Sequence, residues 1–415
     1  MADLLKEQYE ALPYPQRDPA DEHGRVVMTE LERLSGINHF VFGGNLDRSR
    51  KFRALVAGGG TGDALICLAY QLRVLGIAAE ITYIDLSAAS RKIAQARAAV
   101  HRFDNIRFET GSFLDSGRLG TARYDYINCT GVLHHLASPL DGLKALARLL
   151  DSDGGMGLML YGALGRTGIY PVQEMLRVLA PEQLAVPERV RIARKFVAAL
   201  PPHNWLKRNP LLYRVDLSDA EIFDLLLHSR DRAYSVEEAG VLVEGASLRL
   251  VSFVPPVIYR PTAELKDPEL LGRLAGLDPL AQAAFAERLN GGLLTHEFYV
   301  VHAANPVSPP DAMDPNCIPV LGGFPEIPHT TGNPVPIALK TARFQLDLNL
   351  PYPTAQLLRL VDGERPLGEI RRLSSLDDRQ FESLWRGIYA FMHEHGYIHI
   401  SRNPMPNLPR QVTHL

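Results

Sequence analysis

Short apolar runs alternate with segments of helical periodicity in the first part of the chain. The run Arg53–Ala57 ends in glycines, and the segment after it repeats leucine at the spacing of one helical face. Similar runs predict further strands at Glu80–Ile84, Ile106–Glu109, Tyr124–Cys129 and Gly157–Tyr161. Because these strands alternate with helical segments, the pattern predicts a parallel sheet with helices on both faces.

The alternation stops after Tyr161. Residues 162–235 carry helical periodicity interrupted by prolines, and a second helical stretch falls within 262–292. Two further strands, Leu248–Phe253 and Glu297–His302, are predicted, and their pairing is an inference because a long excursion separates them. The α/β domain is therefore expected to span 51–305 with two helical insertions.

The last part of the chain differs in character. Residues 306–336 are rich in proline and lack hydrophobic periodicity, which predicts an extended linker. Residues 337–415 contain three short helical patterns followed by the apolar run Tyr397–Ile400. We expect a small, mainly helical C-terminal domain that resembles a winged-helix module.

Composition excludes several classes of protein. The chain has 415 residues, 46% of them apolar and 22% charged, with a formal net charge of −3. These values are typical of a soluble globular protein, and the lack of a basic excess does not favour nucleic-acid binding. No apolar run approaches the about 18 residues of a membrane helix. Three widely separated cysteines indicate neither zinc nor disulfides and predict a cytoplasmic protein.

The loop Gly58-Gly59-Gly60-Thr61-Gly62 follows the first predicted strand. Glycines there allow the backbone to approach a nucleotide-like ligand, and ligands of open α/β sheets bind at this end of the strands. Asp63 stands where dinucleotide-binding loops have a third glycine, so the loop favours S-adenosylmethionine over a dinucleotide. The alternative is a tight turn that binds nothing.

Asp85 ends the second strand of the domain. A carboxylate there can accept both hydroxyls of a ribose. Dinucleotide folds share this acid, so Asp85 alone does not separate the two cofactors.

Two later segments carry a family resemblance. With the glycine loop and Asp85, the segment Phe108–Phe113 and the segment Tyr124–Leu136, which contains Val-Leu-His-His-Leu, resemble class I S-adenosylmethionine-dependent methyltransferases. The resemblance covers roughly the first 160 residues and implies a Rossmann-like, seven-stranded, mostly parallel sheet. It also implies S-adenosyl-L-methionine as cofactor, S-adenosyl-L-homocysteine as product, no metal, and cofactor contacts from Gly58, Gly60, Thr61, Gly62, Asp85, Leu86, Ser112, Phe113, Thr130 and Gly131.

Two positions depart from the family pattern. Val56 stands where many members have an acid two residues before the first loop glycine, and Ser112 stands where many have an aspartate. Both changes remove a usual anchor of the cofactor.

Methyl transfer requires mainly that the nucleophile and the methyl group be held in line. His134 and Tyr14 are the candidate catalytic residues, although both could serve packing alone. Tyr14 belongs to the segment Tyr9–Pro15, which is similar to the start of some bacterial protein-lysine methyltransferases, and residues 1–50 are expected to form a lid. Candidates on the substrate side are Tyr9, His135, Tyr161, Arg166 and Tyr170. The run Arg230-Asp231-Arg232 is interpreted as a surface or interdomain ion-pair cluster.

Three functions stay open at this point. The first is methyl transfer to an unknown acceptor, with a protein side chain slightly favoured over a small molecule. The second is a non-catalytic regulatory or partner subunit that binds S-adenosylmethionine, and the third is a nicotinamide oxidoreductase. Neither nucleic acid nor a membrane is expected as a partner, and a homodimer is one option for the oligomeric state.

Overall fold

The computed structural model describes residues 2–115, 118–214, 216–329, 332–340, 345–408 and 412–414. Its strands are β1 (Val26–Met28), β2 (Phe52–Ala57), β3 (Ala79–Asp85), β4 (Ile106–Thr110), β5 (Tyr124–Thr130), β6 (Leu150–Tyr161), β7 (Leu248–Phe253), β8 (Thr295–His302), β9 (Ile318–Leu321), β10 (Val335–Lys340), β11 (Gln345–Leu350), β12 (Ile398–Ser401) and β13 (Val412–His414).

The α-helices are α1 (Ala2–Ala11), α2 (Leu34–Phe40), α3 (Asp63–Val74), α4 (Ala88–Val100), α5 (Pro139–Leu149), α6 (Ile169–Leu179), α7 (Val186–Ala199), α8 (Trp205–Arg208), α9 (Asp219–Leu226), α10 (Val236–Gly245), α11 (Pro261–Glu264), α12 (Pro268–Leu274), α13 (Pro279–Asn290), α14 (Tyr352–Leu360), α15 (Leu367–Leu373) and α16 (Asp378–Glu394). Short 3₁₀ turns lie at Pro19–His23, Leu133–His135 and Pro256–Tyr259.

Within the described ranges, seven strands form one sheet in the order β4-β3-β2-β5-β6-β8-β7. The first five run parallel, and β8 lies antiparallel to both β6 and β7. The predicted seven-stranded, mostly parallel sheet is confirmed, and β7 and β8 do pair with each other. Because parallel strands share an orientation, the carboxyl ends of β2, β3, β4 and β5 meet at one edge of the sheet.

Alternate residues of each central strand face opposite cores. In β5, Ile127 and Cys129 pack in one apolar cluster and Tyr126 packs in the other. In β2, Leu55 faces the first cluster and Val56 the second. Both faces are therefore covered, as the apolar runs of these strands require.

The N-terminal 50 residues do not all form a lid. Leu34, Ile37 and Phe40 of α2 are buried in the core against the sheet strand β8, where Phe40 stacks on Tyr299 at 5.5 Å. Strand β1 pairs in parallel with β13 near the other end of the chain. The prediction of a lid over 1–50 is wrong for this inner part, because its apolar side chains complete the core.

The predicted linker 306–336 is also partly wrong. Strand β9 lies inside it and pairs antiparallel with β12, while the Trp385 indole of α16 donates to the Ala312 carbonyl at 2.9 Å. These contacts tie the proline-rich segment to the helices α14–α16. A β10–β11 hairpin precedes those helices. The winged-helix resemblance of this region stays a prediction.

Among the described residues, no helix has both the length and the apolar character needed to cross a lipid bilayer.

Candidate functional site

The glycine loop lies at the carboxyl end of β2, and α3 begins directly after it. Gly60 has a φ of +51°, and a Cβ there would lie 2.7 Å from the carbonyl oxygen of Tyr14. Gly58 has a φ of +71°, and a Cβ there would lie 2.3 Å from a methyl group of Val132. Both positions therefore require glycine, because a neighbouring segment approaches the backbone closely.

Asp85 ends β3 beside this loop and is half-buried. One carboxylate oxygen accepts the Gly60 N–H at 2.8 Å, and the other accepts the Ser87 N–H at 2.8 Å. Burial raises the pKa of Asp85, and these backbone donors oppose that shift. Each oxygen keeps a lone pair with which it can accept a further hydroxyl.

The N-terminal segment reaches across the loop. The Thr61 hydroxyl donates to the Pro15 carbonyl at 2.7 Å. Two N–H groups of the Arg17 guanidinium donate to the Asp63 carboxylate, at 2.9, 3.1 and 2.6 Å. Arg97, fully buried, adds a second cation at 2.7 Å from Asp63. Asp63 at the position of the missing third glycine thus anchors residues 14–17 over the loop.

Helix α1 is fixed against the start of α4. The Glu10 carboxylate accepts the N–H groups of Ala88 and Ala89 at 2.5 and 3.1 Å, and the Ser87 hydroxyl donates to the Tyr9 carbonyl at 3.0 Å. An acid at a helix N-terminus is favourable, since the amide groups there lack partners within the helix. The backbone of Tyr9 is thereby fixed at Ser87, two residues after Asp85.

The other expected cofactor contacts follow the strands at the same edge. Leu86, Ser112, Thr130 and Gly131 are half-buried, and Phe113 is buried in the core. The Ser112 hydroxyl accepts the Leu114 N–H at 3.1 Å and so closes a local turn. The structure brings the ten expected cofactor residues to one edge of the sheet, and their contact with a cofactor stays a prediction.

Glu32 is a buried acid that the sequence did not identify. Its carboxylate accepts a hydrogen bond from Asn128, which also donates to the Thr130 hydroxyl at 2.9 Å. Asn128 is the register partner of Val56. Burial raises the pKa of Glu32 from 4.5 to about 7. Val56 stands where many members of the family carry an acid. The Glu32 carboxyl group therefore accepts a hydrogen bond from Asn128, the residue that pairs with Val56 across the sheet.

Aromatic rings form a second cluster next to the loop. The His134 ring stacks on the Tyr161 ring, with 3.8 Å between the ring centres. The guanidinium carbon of Arg166 also lies over the Tyr161 ring, 3.7 Å from its centre. Arg166 forms a buried ion pair with Asp231 at 2.9 Å. Among the described residues, neither ring nitrogen of His134 has a hydrogen-bond partner.

Asp224 on α9 lies at the centre of this cluster. Its side chain accepts hydrogen bonds from the hydroxyls of Tyr9 and Tyr161, at 3.3 and 3.2 Å. The residue is 8% exposed, and burial raises its pKa. The Tyr9 oxygen also lies 3.3 Å from Nε2 of His228, whose ring stacks on His135 at 3.8 Å.

Nitrogen or carboxylate atoms of His135, Asp224 and His228 lie within 4.8 Å of one another, a spacing that a metal ion could use. The donor set does not fit a metal, however. Nδ1 of His228 accepts the Arg230 N–H at 3.1 Å, so Nε2 of that ring carries the proton and cannot act as a ligand. The cluster is arranged for hydrogen bonding.

The predicted catalytic and substrate-side residues converge only in part. Tyr9, His134, His135, Tyr161 and Arg166 meet in the cluster. Tyr170 lies at its border, with its ring centre 6.0 Å from the guanidinium carbon of Arg166. Tyr14 lies above the loop and contributes its backbone carbonyl.

The surface ion-pair interpretation of Arg230-Asp231-Arg232 is wrong for Asp231, whose side chain is fully buried against Arg166 and Gln173. Arg232 does pair at the surface, with Glu238. Asp224 and His228 escaped the sequence analysis as site residues. The available signal was a lone carboxylate inside the apolar run Ile222–Leu227, because a charged residue there must be buried with a partner.

Part of the chain is similar to a known protein family and to a protein of another organism. Residues 55–156 match the protein-family model described as a methyltransferase domain. An uncharacterized protein of Synechococcus sp., syc1184_c, is 35% identical over 205 residues, which is 48% of this chain and 48% of that relative. The alignment thus spans about half the length of the relative.

The structure of PKMT2 from Rickettsia typhi in complex with AdoHcy superposes with a TM-score of 0.65 at 15% identity, over 90% of this chain and 75% of that one. The structure of PKMT2 from Rickettsia typhi superposes with a TM-score of 0.64 at 12% identity, over 91% and 77%. At these identities the likeness concerns the fold. Residues 55–156 therefore match the methyltransferase-domain model, and the chain has the Rossmann-like fold of class I S-adenosylmethionine-dependent methyltransferases.

Proposed function

We propose that this protein transfers a methyl group from S-adenosylmethionine to an amine on a protein side chain. The observation that carries the proposal is the position of Tyr9. Its carbonyl is bonded to Ser87, two residues after Asp85, and its hydroxyl is bonded to Asp224. Tyr9 therefore lies between Asp85, the acid expected to bind the ribose, and Asp224, a buried acid surrounded by aromatic rings.

The glycine loop and Asp85 fit the cofactor. The two carboxylate oxygens are oriented by backbone donors and keep lone pairs for the two ribose hydroxyls. Gly58, Gly60, Gly131 and Leu86 are half-buried, so part of each residue is accessible to a ligand. We propose that the remaining contacts come from Thr61, Gly62, Ser112, Phe113 and Thr130.

When bound, S-adenosylmethionine supplies a sulfonium methyl group that is already activated. The protein then has to exclude water and hold the acceptor in line with that methyl group. Tyr161 and His134 form a stacked wall beside the loop, and the ion pair of Arg166 with Asp231 supports the far side of Tyr161. These residues orient the acceptor and need no change of protonation.

The chemistry of the aromatic cluster favours an amine as acceptor. Asp224 accepts hydrogen bonds only from neutral tyrosine hydroxyls among the described residues, and no ion pair to it is formed there. A buried carboxylate with aromatic walls is suited to bind an ammonium group, through charge and through the faces of the rings. The fold likeness to PKMT2 over 90% of the chain is consistent with a macromolecular acceptor.

The function is tested with S-adenosylmethionine carrying a tritiated methyl group, incubated with the protein and a heat-treated bacterial lysate. We expect label in the protein fraction, recovered as Nε-methyl-lysine after acid hydrolysis. Label in the small-molecule fraction would indicate a small-molecule methyltransferase. Binding of S-adenosylhomocysteine by calorimetry, without transfer of label, would indicate a non-catalytic regulatory or partner subunit.

Replacing Asp85 with asparagine is expected to weaken binding of S-adenosylhomocysteine by about 10- to 100-fold, because charge-assisted hydrogen bonds to ribose contribute about 1.5–3 kcal/mol. Isothermal titration calorimetry measures the change. Asp151→Asn is the matched control, since Asp151 lies at the opposite end of the sheet and pairs loosely with Arg53 at 3.7 Å. Equal affinities of the Asp85 variant and the unmodified protein would place the ribose elsewhere.

The cytoplasmic location and the option of a homodimer stay predictions. The three cysteines are buried as free thiols, which suits a reducing compartment.

A further inference from the structure

The backbone of Arg230 fixes the tautomers of two stacked histidines. Its N–H donates to Nδ1 of His228 at 3.1 Å, so the proton of the neutral His228 ring resides on Nε2. Its carbonyl accepts from Nδ1 of His135 at 2.8 Å, so Nε2 of His135 carries a free lone pair. The two rings, 3.8 Å apart, are therefore opposite tautomers.

Each tautomer has a different partner. The Nε2–H group of His228 points to the Tyr9 oxygen at 3.3 Å, and the Tyr9 hydroxyl donates onward to Asp224. Nε2 of His135 makes no hydrogen bond to the part of the chain that the structure describes. A ring nitrogen of His135 lies within 4.8 Å of a carboxylate oxygen of Asp224, and both side chains can accept hydrogen bonds. An ammonium group, with three donors, satisfies both.

The surroundings keep His135 neutral. Burial lowers its pKa, assisted by Arg166, while Asp224, the Arg230 carbonyl and Asp231 oppose the shift. The adjoining rings of His134, His228 and Tyr161 carry no charge at pH 7, since burial lowers the pKa of both histidines and raises that of the tyrosine. A neutral imidazole can accept a proton.

We propose that Nε2 of His135 is the general base that removes a proton from the acceptor ammonium group while Asp224 binds that ammonium group. This inference rests on the proposed function.

One N–H bond of the ammonium breaks, and its proton forms a bond to Nε2 of His135, leaving a neutral amine. The amine lone pair forms a bond to the methyl carbon, the carbon–sulfur bond breaks, and its electron pair stays on sulfur as a neutral thioether. The product is a methylammonium ion, and the proton on His135 passes to solvent.

The test compares His135→Asn with the unmodified protein from pH 7 to pH 9.5. Asparagine keeps an N–H donor for the Arg230 carbonyl and removes the basic nitrogen. The rate of Nε-methyl-lysine formation is measured with labelled S-adenosylmethionine and the heat-treated lysate. We expect the variant to be about 100-fold slower at pH 7, since a general base contributes at least about that factor. The ratio of the two rates should approach one as the pH rises. The acceptor amine is then increasingly deprotonated before it binds, and the reaction no longer needs a base.

His228→Asn is the control, since it disturbs the same stack and keeps the basic nitrogen of His135. Its rate relative to the unmodified protein should not change with pH. Calorimetry with S-adenosylhomocysteine should give one affinity for all three proteins. A constant rate ratio for His135→Asn across this pH range overturns the base assignment alone. Absence of methyl transfer by the unmodified protein overturns the proposed function, and the base assignment with it.

Discussion

Replacing Asp224 with asparagine is expected to lower kcat/KM for methyl transfer about 100-fold, which corresponds to about 3 kcal/mol of lost stabilisation of a charged acceptor. The carboxylate is the acid that two tyrosine hydroxyls orient, and asparagine supplies no charge for an ammonium group. Affinity for S-adenosylhomocysteine should stay within a factor of two. The measurements are steady-state methyl transfer and calorimetry.

The same variant should not be less stable. Burial raises the pKa of Asp224, so the ionised carboxylate opposes folding at neutral pH and the neutral amide does not. We expect an unchanged or higher Tm together with the loss of activity. Asp219→Asn, at the exposed start of the same helix, is the matched control and should keep full activity. An active Asp224 variant would rule out this carboxylate as the acceptor site.

Replacing Glu32 with glutamine is expected to change the pH dependence of stability by about 3 kcal/mol. The pKa of Glu32 is raised from 4.5 to about 7 by burial, and each pKa unit corresponds to about 1.4 kcal/mol. The raised pKa means that Glu32 stabilises the fold fully below pH 4.5, and this contribution is lost as the pH rises through 7. Glutamine keeps an acceptor for Asn128 without the charge.

Urea unfolding at pH 5 and pH 8 gives the comparison. The stability of the Glu32→Gln protein relative to the unmodified protein should be about 2.5 kcal/mol more favourable at pH 8 than at pH 5. Glu174→Gln, an exposed substitution on α6, should show no such difference between the two pH values. If the Glu32→Gln protein shows no such difference either, the Glu32 carboxyl group of the unmodified protein is not buried in solution.

The cofactor half of the site could be predicted from sequence because each of its residues directly follows a predicted strand. The glycine loop, Asp85 and the segment Thr130–Gly131 each follow a strand, and parallel strands bring those positions to one edge. Hydrophobic periodicity predicted the sheet, and the glycine loop together with the family resemblance supplied this group of residues. The pattern could not reveal that Asp63 anchors Arg17, since the two residues are far apart along the chain.

The acceptor half could not be predicted in the same way. Tyr9, Asp224 and His228 come from α1, α9 and the segment after α9, and no periodicity links them. The errors share this cause. Residues 26–46 and the strand β9 were predicted to be a lid and a linker because their partners lie far away in sequence. β8 and β13 lie beyond residue 290, and β12 begins more than 70 residues after β9.

The sequence by itself determined the α/β sheet, the glycine loop and the ribose acid, because strand and helix periods and local turn chemistry are properties of neighbouring residues. Only the tertiary structure decided which acid is buried among aromatic rings and which nitrogen of each histidine carries the proton. Those properties depend on desolvation and on hydrogen-bond partners such as the Arg230 backbone, which packing brings within reach and chain order does not.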